Sequence, residues 1–375
     1  MAGKSQRKTR QYSPVQGPQQ RRKLLKELGR KQARKKFSIS PREVRRNVGK
    51  MFGFAPLTSL TAAESSLLRS YVRMSVQNTT ADHIKYASMM LSGQARRSVG
   101  FGDESQRMTR QTIRKLYSEG KRFDKTRIRY TEGRITTGKG LGGYGCRGLE
   151  EYSFDILKRA REAYKRKGSR IQVLDVGSMT GKMLAELKSK MGDKVETHAL
   201  SPDDMPKQRV DAYHMLVAER MPKEFRRRFD VIVSNRTLEY SLFPNIALQN
   251  IAQSLAPGGK AYLQWHGGRT VWARELRSRL TEFFARYSKA KPSQGAKQII
   301  KEGAAVDKQT LTDAQVDAKI KQGIERYGSG ARQNLAWCNE IAKLRKSPQF
   351  DVQIVSWSGA DFGWAPGHLI IERKR

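Results

Sequence analysis

The chain has 375 residues, enough for about two domains, and 37% of them are hydrophobic, which suits one core with polar extensions. It contains 74 Lys and Arg residues but only 35 Asp and Glu residues. The resulting net charge of +39 favours a polyanionic partner, because like charges oppose compaction. No run of 18 apolar residues occurs, which argues against a membrane-spanning helix. The two cysteines, Cys146 and Cys338, match no zinc-binding spacing and are too few for a disulfide framework.

The positive charge is concentrated before residue 150. Residues 1–150 contain 34 Lys/Arg and 10 Asp/Glu, whereas residues 151–375 contain 40 and 25. Residues 1–36 lack the apolar side chains that would offset the entropy of ordering, and their charge favours nucleic acid binding over a solubilising tail. We therefore predict a basic, disordered arm over 1–50, a helical, glycine-rich region over 51–148, and a folded domain over 149–375 with an insertion at 288–349.

The region before the folded domain carries two local signals. Thr61 with Glu64 forms a capping box that predicts the start of a helix. Seven of the sixteen residues over 133–148 are glycine, and this stretch nearly matches a phosphate-binding loop. Gly140 stands where that loop requires Ser or Thr, so a loop near a ligand or RNA is favoured over a nucleotide hydrolase.

From residue 149 onward, predicted strands alternate with predicted helices. Strands are predicted over 171–176, 195–200, 212–217, 229–234, 260–265, 350–357 and 368–372. Helices are predicted over 149–167, 182–190, 205–210, 246–255 and 271–287. This alternation indicates an α/β fold with a doubly wound, Rossmann-like, mostly parallel sheet of seven strands. Because no helix separates the last two strands, we expect an antiparallel hairpin at the sheet edge.

The first strand of this domain ends in a glycine turn. The stretch VLDVGSMTG, over 173–181, takes an apolar strand through a turn into a helix. Glycines allow backbone to approach a nucleotide-like ligand, and a helix N-terminus offers free N–H groups. The spacing G-x-x-x-G differs from the three-glycine G-x-G-x-x-G pattern, which disfavours NAD.

Together with two later motifs, this turn resembles the class I S-adenosylmethionine-dependent methyltransferases. That family carries an E/D-x-G-x-G-x-G signature after its first strand, and three of the four anchor positions are filled here, by Asp175, Gly177 and Gly181. FDVIVSN over 229–235 resembles the family's fourth strand, and LAPGG over 255–259 resembles the turn before its fifth strand. The family's reversed last strand also agrees with the predicted closing hairpin.

The resemblance implies S-adenosylmethionine as the cofactor and assigns roles to the surrounding residues. The cofactor would be bordered by the first turn and by the residue after the fourth strand, namely Asp175, Gly177, Ser178, Met179, Thr180, Gly181 and Asn235. Asn235 and Arg236 would face the transferred methyl group and the acceptor, and they are the candidate catalytic residues. This placement agrees with the rule that open α/β sheets bind ligands at the carboxyl ends of their strands.

Two positions depart from the family pattern. Ala199 stands at the end of the second strand, where the family has an acidic residue for the ribose hydroxyls, and Asp203 or Asp204 would replace it only if the loop folds back. Val217 stands where the family often has an Asp near adenine, with Glu219 two residues later. These departures leave a second interpretation open, in which the domain no longer catalyses methyl transfer.

The remaining histidines and tryptophans have two interpretations each. His198 and His214 lie in predicted strands and are expected to be satisfied core residues, whereas His266 follows the fifth strand and could reach the rim of the active site. Trp265 and Trp357 end predicted strands, where they would either pack at an edge or stack on bases.

The favoured function is methylation of RNA, with ribosomal RNA as the substrate and RNA or a ribosomal particle as the partner. One alternative is a catalytically inactive, methyltransferase-like RNA-binding protein that acts in ribosome assembly. Another is a small-molecule or protein methyltransferase. We expect no membrane or metal partner and a cytoplasmic location, or a mitochondrial one if the basic N-terminus is a transit peptide. The oligomeric state and the acceptor atom stay open.

Overall fold

The computed structural model describes residues 41–74, 76, 155–178, 181–202, 210–235, 237–265, 267, 279–280, 282–284, 292–358 and 365–375. All of them belong to one compact unit, formed by residues 41–77 and 128–375. Several sequence-based predictions lie outside the described residues: the arm up to residue 40, the glycine-rich loop, and the residues Met179, Thr180, Asp203, Asp204, Arg236 and His266.

Seven strands form one sheet in the order β3-β2-β1-β4-β5-β7-β6. Their bounds are β1 Ile171–Val176, β2 Val195–Leu200, β3 Ala212–His214, β4 Phe229–Ser234, β5 Leu255–Gln264, β6 Phe350–Ser358 and β7 Ala365–Arg373. The first five strands pair in parallel, and β7 runs antiparallel to both β5 and β6. The predicted fold class is confirmed, including the closing antiparallel hairpin.

Four strands differ in extent from their predictions. The sixth ends at Ser358 instead of residue 357, and the seventh covers Ala365–Arg373 instead of 368–372. The third ends at His214, three residues before the predicted end at 217. The fifth begins at Leu255 instead of residue 260, because Leu255 already pairs with Phe229 across an irregularity in the ladder. Gly259 makes this close approach possible, since a Cβ at that position would lie 2.7 Å from the carbonyl oxygen of Phe229.

Helices cover both faces of the sheet. Their bounds are α1 Pro41–Met51, α2 over 62–74, α3 Ile156–Lys167, α4 Lys182–Met191, α5 Pro244–Ser254, α6 Gln294–Val306, α7 Asp313–Tyr327 and α8 Ser329–Lys346. One core cluster joins α3 and α4 to Val173, Val231 and other side chains on the same face of the sheet. Leu174 and Ile232 lie on the opposite face by strand alternation and are also fully buried. Burial on both faces explains why β4 is apolar along almost its whole length.

The predicted insertion at 288–349 contains three helices, α6 to α8, of which α8 packs against α5 and the last two strands. Trp337 of α8 stacks on Trp265, with ring centroids 4.7 Å apart, and the Trp265 Nε1–H donates to Asn334 Oδ1 at 3.0 Å. Trp265 is fully buried. The base-stacking interpretation of Trp265 is therefore wrong, because its ring anchors the insertion to the end of β5.

Residues 41–76 pack against the sheet domain. Val44, Val48 and Met51 of α1 are each at most 2% exposed, although the predicted basic arm extends to residue 50. The Leu57 N–H donates to the carbonyl of Met221 at 2.7 Å, close to a bridge between Pro56 and Pro222. The segment therefore contributes side chains to the same folded unit as the sheet.

Arg220 joins this segment to the sheet domain. Its Nη2 donates to the carbonyl oxygens of Phe52 at 3.0 Å and Phe54 at 2.8 Å, and its guanidinium carbon lies 5.0 Å from the Phe52 ring centroid. Burial is the main cause that lowers the pKa of this guanidinium, and the charge of Arg69 adds to it. The side chain is only 8% exposed, so its charge is held by carbonyl oxygens and an aromatic face.

We expect Arg220→Ala to lower the free energy of unfolding by about 2–4 kcal/mol, because the carbonyls of Phe52 and Phe54 and the Phe52 ring lose the partner that holds them to the sheet domain. Urea denaturation followed by circular dichroism measures this loss. Lys223→Ala is the matched control, since Lys223 is exposed and its contact with Ala55 is made by its backbone N–H. We expect the control to stay within about 0.5 kcal/mol of the parent. Equal losses in both variants would contradict the role of Arg220.

Two histidines form a largely buried pair beside β2. His198 Nδ1 lies 3.1 Å from His214 Nε2, and His198 Nε2 lies 2.9 Å from Glu196 Oε1. Because a carboxylate oxygen accepts, the neutral His198 donates through Nε2 and accepts from His214 through Nδ1. Burial lowers the pKa of His198, and it lowers the pKa of His214 to about 4, with the charges of His198 and Arg228 adding to the effect. Both rings are satisfied, as predicted for core residues.

This pair makes stability fall on acidification. The pKa of His214 in the folded chain lies below its unfolded value of about 6.5, so the unfolded chain binds more protons between these values. We expect the free energy of unfolding to decrease by about 1–2 kcal/mol between pH 7 and pH 5, after allowing for partial exposure of His214. His214→Gln keeps a hydrogen-bonding side chain that cannot titrate, and it should flatten this decline in urea denaturation. An unchanged slope in the variant would exclude His214 as the cause.

Candidate active site

The carboxyl ends of β1, β2 and β4 meet at one edge of the sheet. The N–H groups of Gly177 and Ser178 both donate to the carbonyl oxygen of Leu200, at 2.7 and 3.2 Å. Ser234 Oγ donates to the carbonyl oxygen of Val176 at 3.2 Å. These bonds tie the turn after β1 to the ends of both neighbouring strands. Site residues from separate parts of the sequence are thereby brought to one edge.

Gly177 is required by packing as well as by backbone conformation. Its φ is +87°, and a Cβ built on it would lie 1.8 Å from Thr237 Oγ1. Thr237 follows β4 and donates through Oγ1 to the carbonyl oxygen of Asn235 at 3.1 Å. The space beside Gly177 is thus filled by a threonine, so this glycine has a structural role that needs no ligand.

The rest of the turn leads into α4. Gly181, with φ of +76°, is the N-cap of α4, and its N–H donates to the carbonyl oxygen of Ser178 at 2.8 Å. Ser178 is 9% exposed, and its Oγ has no hydrogen-bond partner among the described residues. A buried hydroxyl without a partner costs about 1–3 kcal/mol, which a polar ligand group at this turn would recover. Asp175 lies two residues before Gly177, half-buried at the end of β1.

Asn235 lies directly after β4 and is 9% exposed. The structure therefore brings Asp175, Gly177, Ser178, Gly181 and Asn235 to the same edge of the sheet. Met179, Thr180 and Arg236 lie outside the described residues. The grouping at one edge is what a ligand site at the carboxyl ends of parallel strands requires.

The positions of the two missing family acids are taken up by internal packing. Ala199 pairs with Asp175 across β1 and β2 and is fully buried. Glu219, two residues after Val217, is 3% exposed, and its Oε1 accepts from Ser241 Oγ at 2.7 Å, the Leu242 N–H at 2.8 Å and the Phe243 N–H at 3.3 Å. Burial raises the pKa of Glu219 and the three donors oppose that rise. Glu219 thus binds the backbone just before α5.

The contacts of Glu219 with the backbone before α5 and a set of arginines were missed from the sequence. Arg226, Arg227 and Arg228 directly precede β4, and this run of three basic residues was the available signal for a charged edge. The Glu219 contacts had no local signal, because they join residues 22 to 24 positions apart. Within the described ranges, no group of three His, Cys, Asp or Glu side chains is placed to hold a metal ion. The described helices also include none long and apolar enough to cross a membrane.

A scan of protein families matches residues 147–292 to the family described as Methyltransferase domain. The search of curated proteins gave no match. Among solved structures, the plantazolicin methyltransferase BpumL in complex with a desmethylPZN analog and SAH is 11% identical, with 72% of this chain and 96% of that chain covered and a TM-score of 0.36.

Two further solved structures match a smaller part of this chain. The 1,6-didemethyltoxoflavin-N1-methyltransferase of Burkholderia thailandensis is 14% identical, with 33% of this chain and 59% of that chain covered and a TM-score of 0.24. The N-methyltransferase NodS from Bradyrhizobium japonicum WM9 is 16% identical, with 35% and 82% covered and a TM-score of 0.25. The chain spans 55–59% of the length of three of the structures that it matches.

The family match covers the turn after β1 and the strands up to β5, and the sheet is mostly parallel with the predicted antiparallel last strand. The fold and this match together confirm the predicted resemblance to the class I S-adenosylmethionine-dependent methyltransferases. The region of the chain that is similar to this family is residues 147–292.

We expect Gly177→Ala to destabilise the chain by about 3 kcal/mol or more, because left-handed backbone costs roughly 1–2 kcal/mol and the contact with Thr237 adds to it. Gly192→Ala is the matched control, since its φ is +58° but no atom lies within 4 Å of the added Cβ. The control should lose only about 1–2 kcal/mol in urea denaturation. Similar losses in both variants would show that Thr237 does not constrain the turn.

Proposed function

We propose that this chain transfers the methyl group of S-adenosylmethionine to RNA, with ribosomal RNA as the favoured substrate. The observation that carries the proposal is the combination of a methyltransferase domain with a net charge of +39. A phosphate backbone is the natural partner for such a charge, and Lys/Arg contacts to it supply affinity that depends on salt. Base-edge contacts near the active site would supply specificity.

The residues at the carboxyl edge fit the methionine end of S-adenosylmethionine. Asp175 supplies a carboxylate near a sulfonium cation, and the buried Ser178 Oγ is a polar atom available to a ligand. When bound, the cofactor supplies an electrophilic methyl group for in-line displacement. The ribose and adenine end has a poorer fit, because Ala199 offers no carboxylate and Glu219 is engaged at α5.

The chain's own contribution to methyl transfer is positioning. The hydrogen bonds from Gly177, Ser178 and Ser234 hold the three strand ends in place without a ligand. Asn235 is held next to this edge by the loop that carries Thr237, and we propose that it orients the acceptor. A fixed approach geometry removes entropy cost from the transfer step, which is a large part of what an enzyme provides for a displacement reaction.

A second candidate function is a methyltransferase-like RNA-binding protein that has lost turnover and acts in ribosome assembly. Buried Ala199 and the contacts of Glu219 with the backbone before α5 favour this candidate, because both remove the usual ligands of the ribose and adenine. The two candidates share RNA as partner and differ in cofactor binding. Calorimetry with S-adenosylmethionine separates them, since a folded chain that gives no heat up to millimolar ligand supports the second.

We expect Asp175→Asn to weaken S-adenosylmethionine binding about tenfold or more in calorimetry, because a carboxylate near the sulfonium is lost. Asp193→Asn is the matched control, since Asp193 is fully exposed at the far end of α4. The control should bind as the parent does. Unchanged affinity in Asp175→Asn would place the cofactor elsewhere.

The acceptor is tested with labelled S-adenosylmethionine and either total RNA or total protein as substrate. Label in RNA that disappears in Asp175→Asn supports RNA methylation. Label in protein, or in neither fraction despite cofactor binding, contradicts it and favours a protein or small-molecule acceptor. The location of the chain, cytoplasmic or mitochondrial, is a separate proposal that imaging of the tagged full-length chain tests.

A further inference from the structure

A groove lies at the amino ends of the parallel strands, on the edge of the sheet opposite the candidate active site. Its volume is about 600 Å³, and its lining includes Arg226, Arg227, Lys343, Phe350 and Arg373. The topology explains the location, because Arg226 and Arg227 precede β4 and Phe350 begins β6. Arg373 ends the antiparallel β7, which brings it to the same edge.

Positive charge in this groove is poorly balanced. Arg226 and Arg227 are exposed, and the ion pairs of the described residues include neither of them. Among the described lining residues the one acid, Glu340, lies 3.3 Å from Lys343 Nζ. Burial lowers the pKa of Arg373, and the nearby charges of Arg227 and Arg226 lower it further. Three guanidinium groups therefore share a space that favours an anionic ligand.

The arginines are held in place by backbone contacts. The Arg227 N–H donates to the carbonyl oxygen of Gln253 at 3.0 Å, and the Arg228 N–H donates to that of Ser254 at 2.9 Å. Arg227 has a φ of +56°, a conformation that costs a side-chain-bearing residue about 1–2 kcal/mol. Arg373 Nη1 also donates to the Gln253 carbonyl, at 3.3 Å, so the last turn of α5 fixes this arginine as well.

The basic surface continues along the same edge, beyond the groove itself. Arg166, at the end of α3, donates through Nη2 to the carbonyl oxygen of Gly258 at 2.8 Å. A Cβ on Gly258 would lie 3.5 Å from Arg375 Nε, so Arg375 lies close to the same glycine. Guanidinium groups bind phosphate oxygens in a bidentate manner. Because the cationic groups extend past one enclosed space, they suit an extended polyanion better than one small ligand.

We propose that this groove, lined by Arg226, Arg227, Lys343 and Arg373, is a docking surface for the phosphate backbone of RNA. The inference rests on the RNA part of the proposed function and deepens it by assigning a surface away from the candidate active site. The six residues of β4 separate the two edges by about 20 Å. An RNA that contacts both edges has to span at least this distance.

The test is fluorescence anisotropy of a labelled RNA hairpin of about 30 nucleotides with the full chain. The triple variant Arg226→Gln, Arg227→Gln, Lys343→Gln removes three charges from the groove. We expect its affinity to fall about tenfold or more at 0.1 M salt and its salt slope to shrink by about two to three. The matched control is Lys308→Gln, Lys321→Gln, Arg326→Gln, which removes three exposed charges from α7 and the turn after α6 and should lose less than about threefold.

Each outcome decides the inference. Parent-like affinity of the groove variant, or equal losses in groove and control variants, overturns it. Competition by poly-glutamate as strong as by unlabelled RNA of equal charge also overturns it and favours an acidic protein partner. Selective loss in the groove variant with unchanged thermal unfolding supports it. Calorimetry with S-adenosylmethionine, run beside the RNA-binding assay, distinguishes the two proposals. Loss of cofactor binding in Asp175→Asn with normal RNA binding leaves the groove intact, and the reverse result leaves the cofactor site intact.

Discussion

The carbonyl oxygen of Leu200 is the point on which the candidate active site depends. It accepts two N–H groups from the turn after β1, and Thr237 packs against the glycine of that turn from the other side. The ends of three parallel strands are therefore joined by the protein alone. A site held in this way has little reorganisation to undergo when a ligand arrives, and preorganisation of this kind is where positioning catalysis gains its advantage.

Because most strands are parallel, their carboxyl ends lie at one edge of the sheet and their amino ends at the other. These two edges carry chemically different side chains. The carboxyl edge carries Asp175, Ser178 and Asn235, small polar groups suited to a compact ligand. The amino edge carries arginines that converge from β4 and β7. Under our proposals the first edge would hold the cofactor and the second would hold the polyanion. Substitutions at one edge would then change the affinity for the polyanion, and substitutions at the other would change methyl transfer.

Local patterns were enough to predict much of the fold. β1, β2 and β4 have their predicted bounds, because each lies between polar or glycine residues and most of its side chains are buried. β5 began earlier than predicted because LAPGG had been interpreted as a turn, whereas Gly259 lets it approach β4 closely. The predicted parallel sheet indicated that the site residues lie at one edge, and the resemblance to the family implied their roles.

Contacts between distant residues could not be predicted in the same way. Glu219 looked like a candidate ligand two positions after Val217, but its carboxylate accepts from residues over 20 positions later. Trp265 was a candidate for stacking on bases, but Trp337 of the insertion packs on its ring. The groove likewise combines residues from positions 226, 343 and 373, which no sequence window brings together.

The packing of α1 changes how the basic N-terminus should be dissected. Val44, Val48 and Met51 lie in the folded interior, so a chain shortened at residue 50 loses core side chains together with its positive charges. Any weakened RNA binding in that shortened chain would report unfolding as much as lost electrostatics. A cut before Pro41 removes most of the arm's cationic residues while sparing the buried helix, and it gives the cleaner dissection.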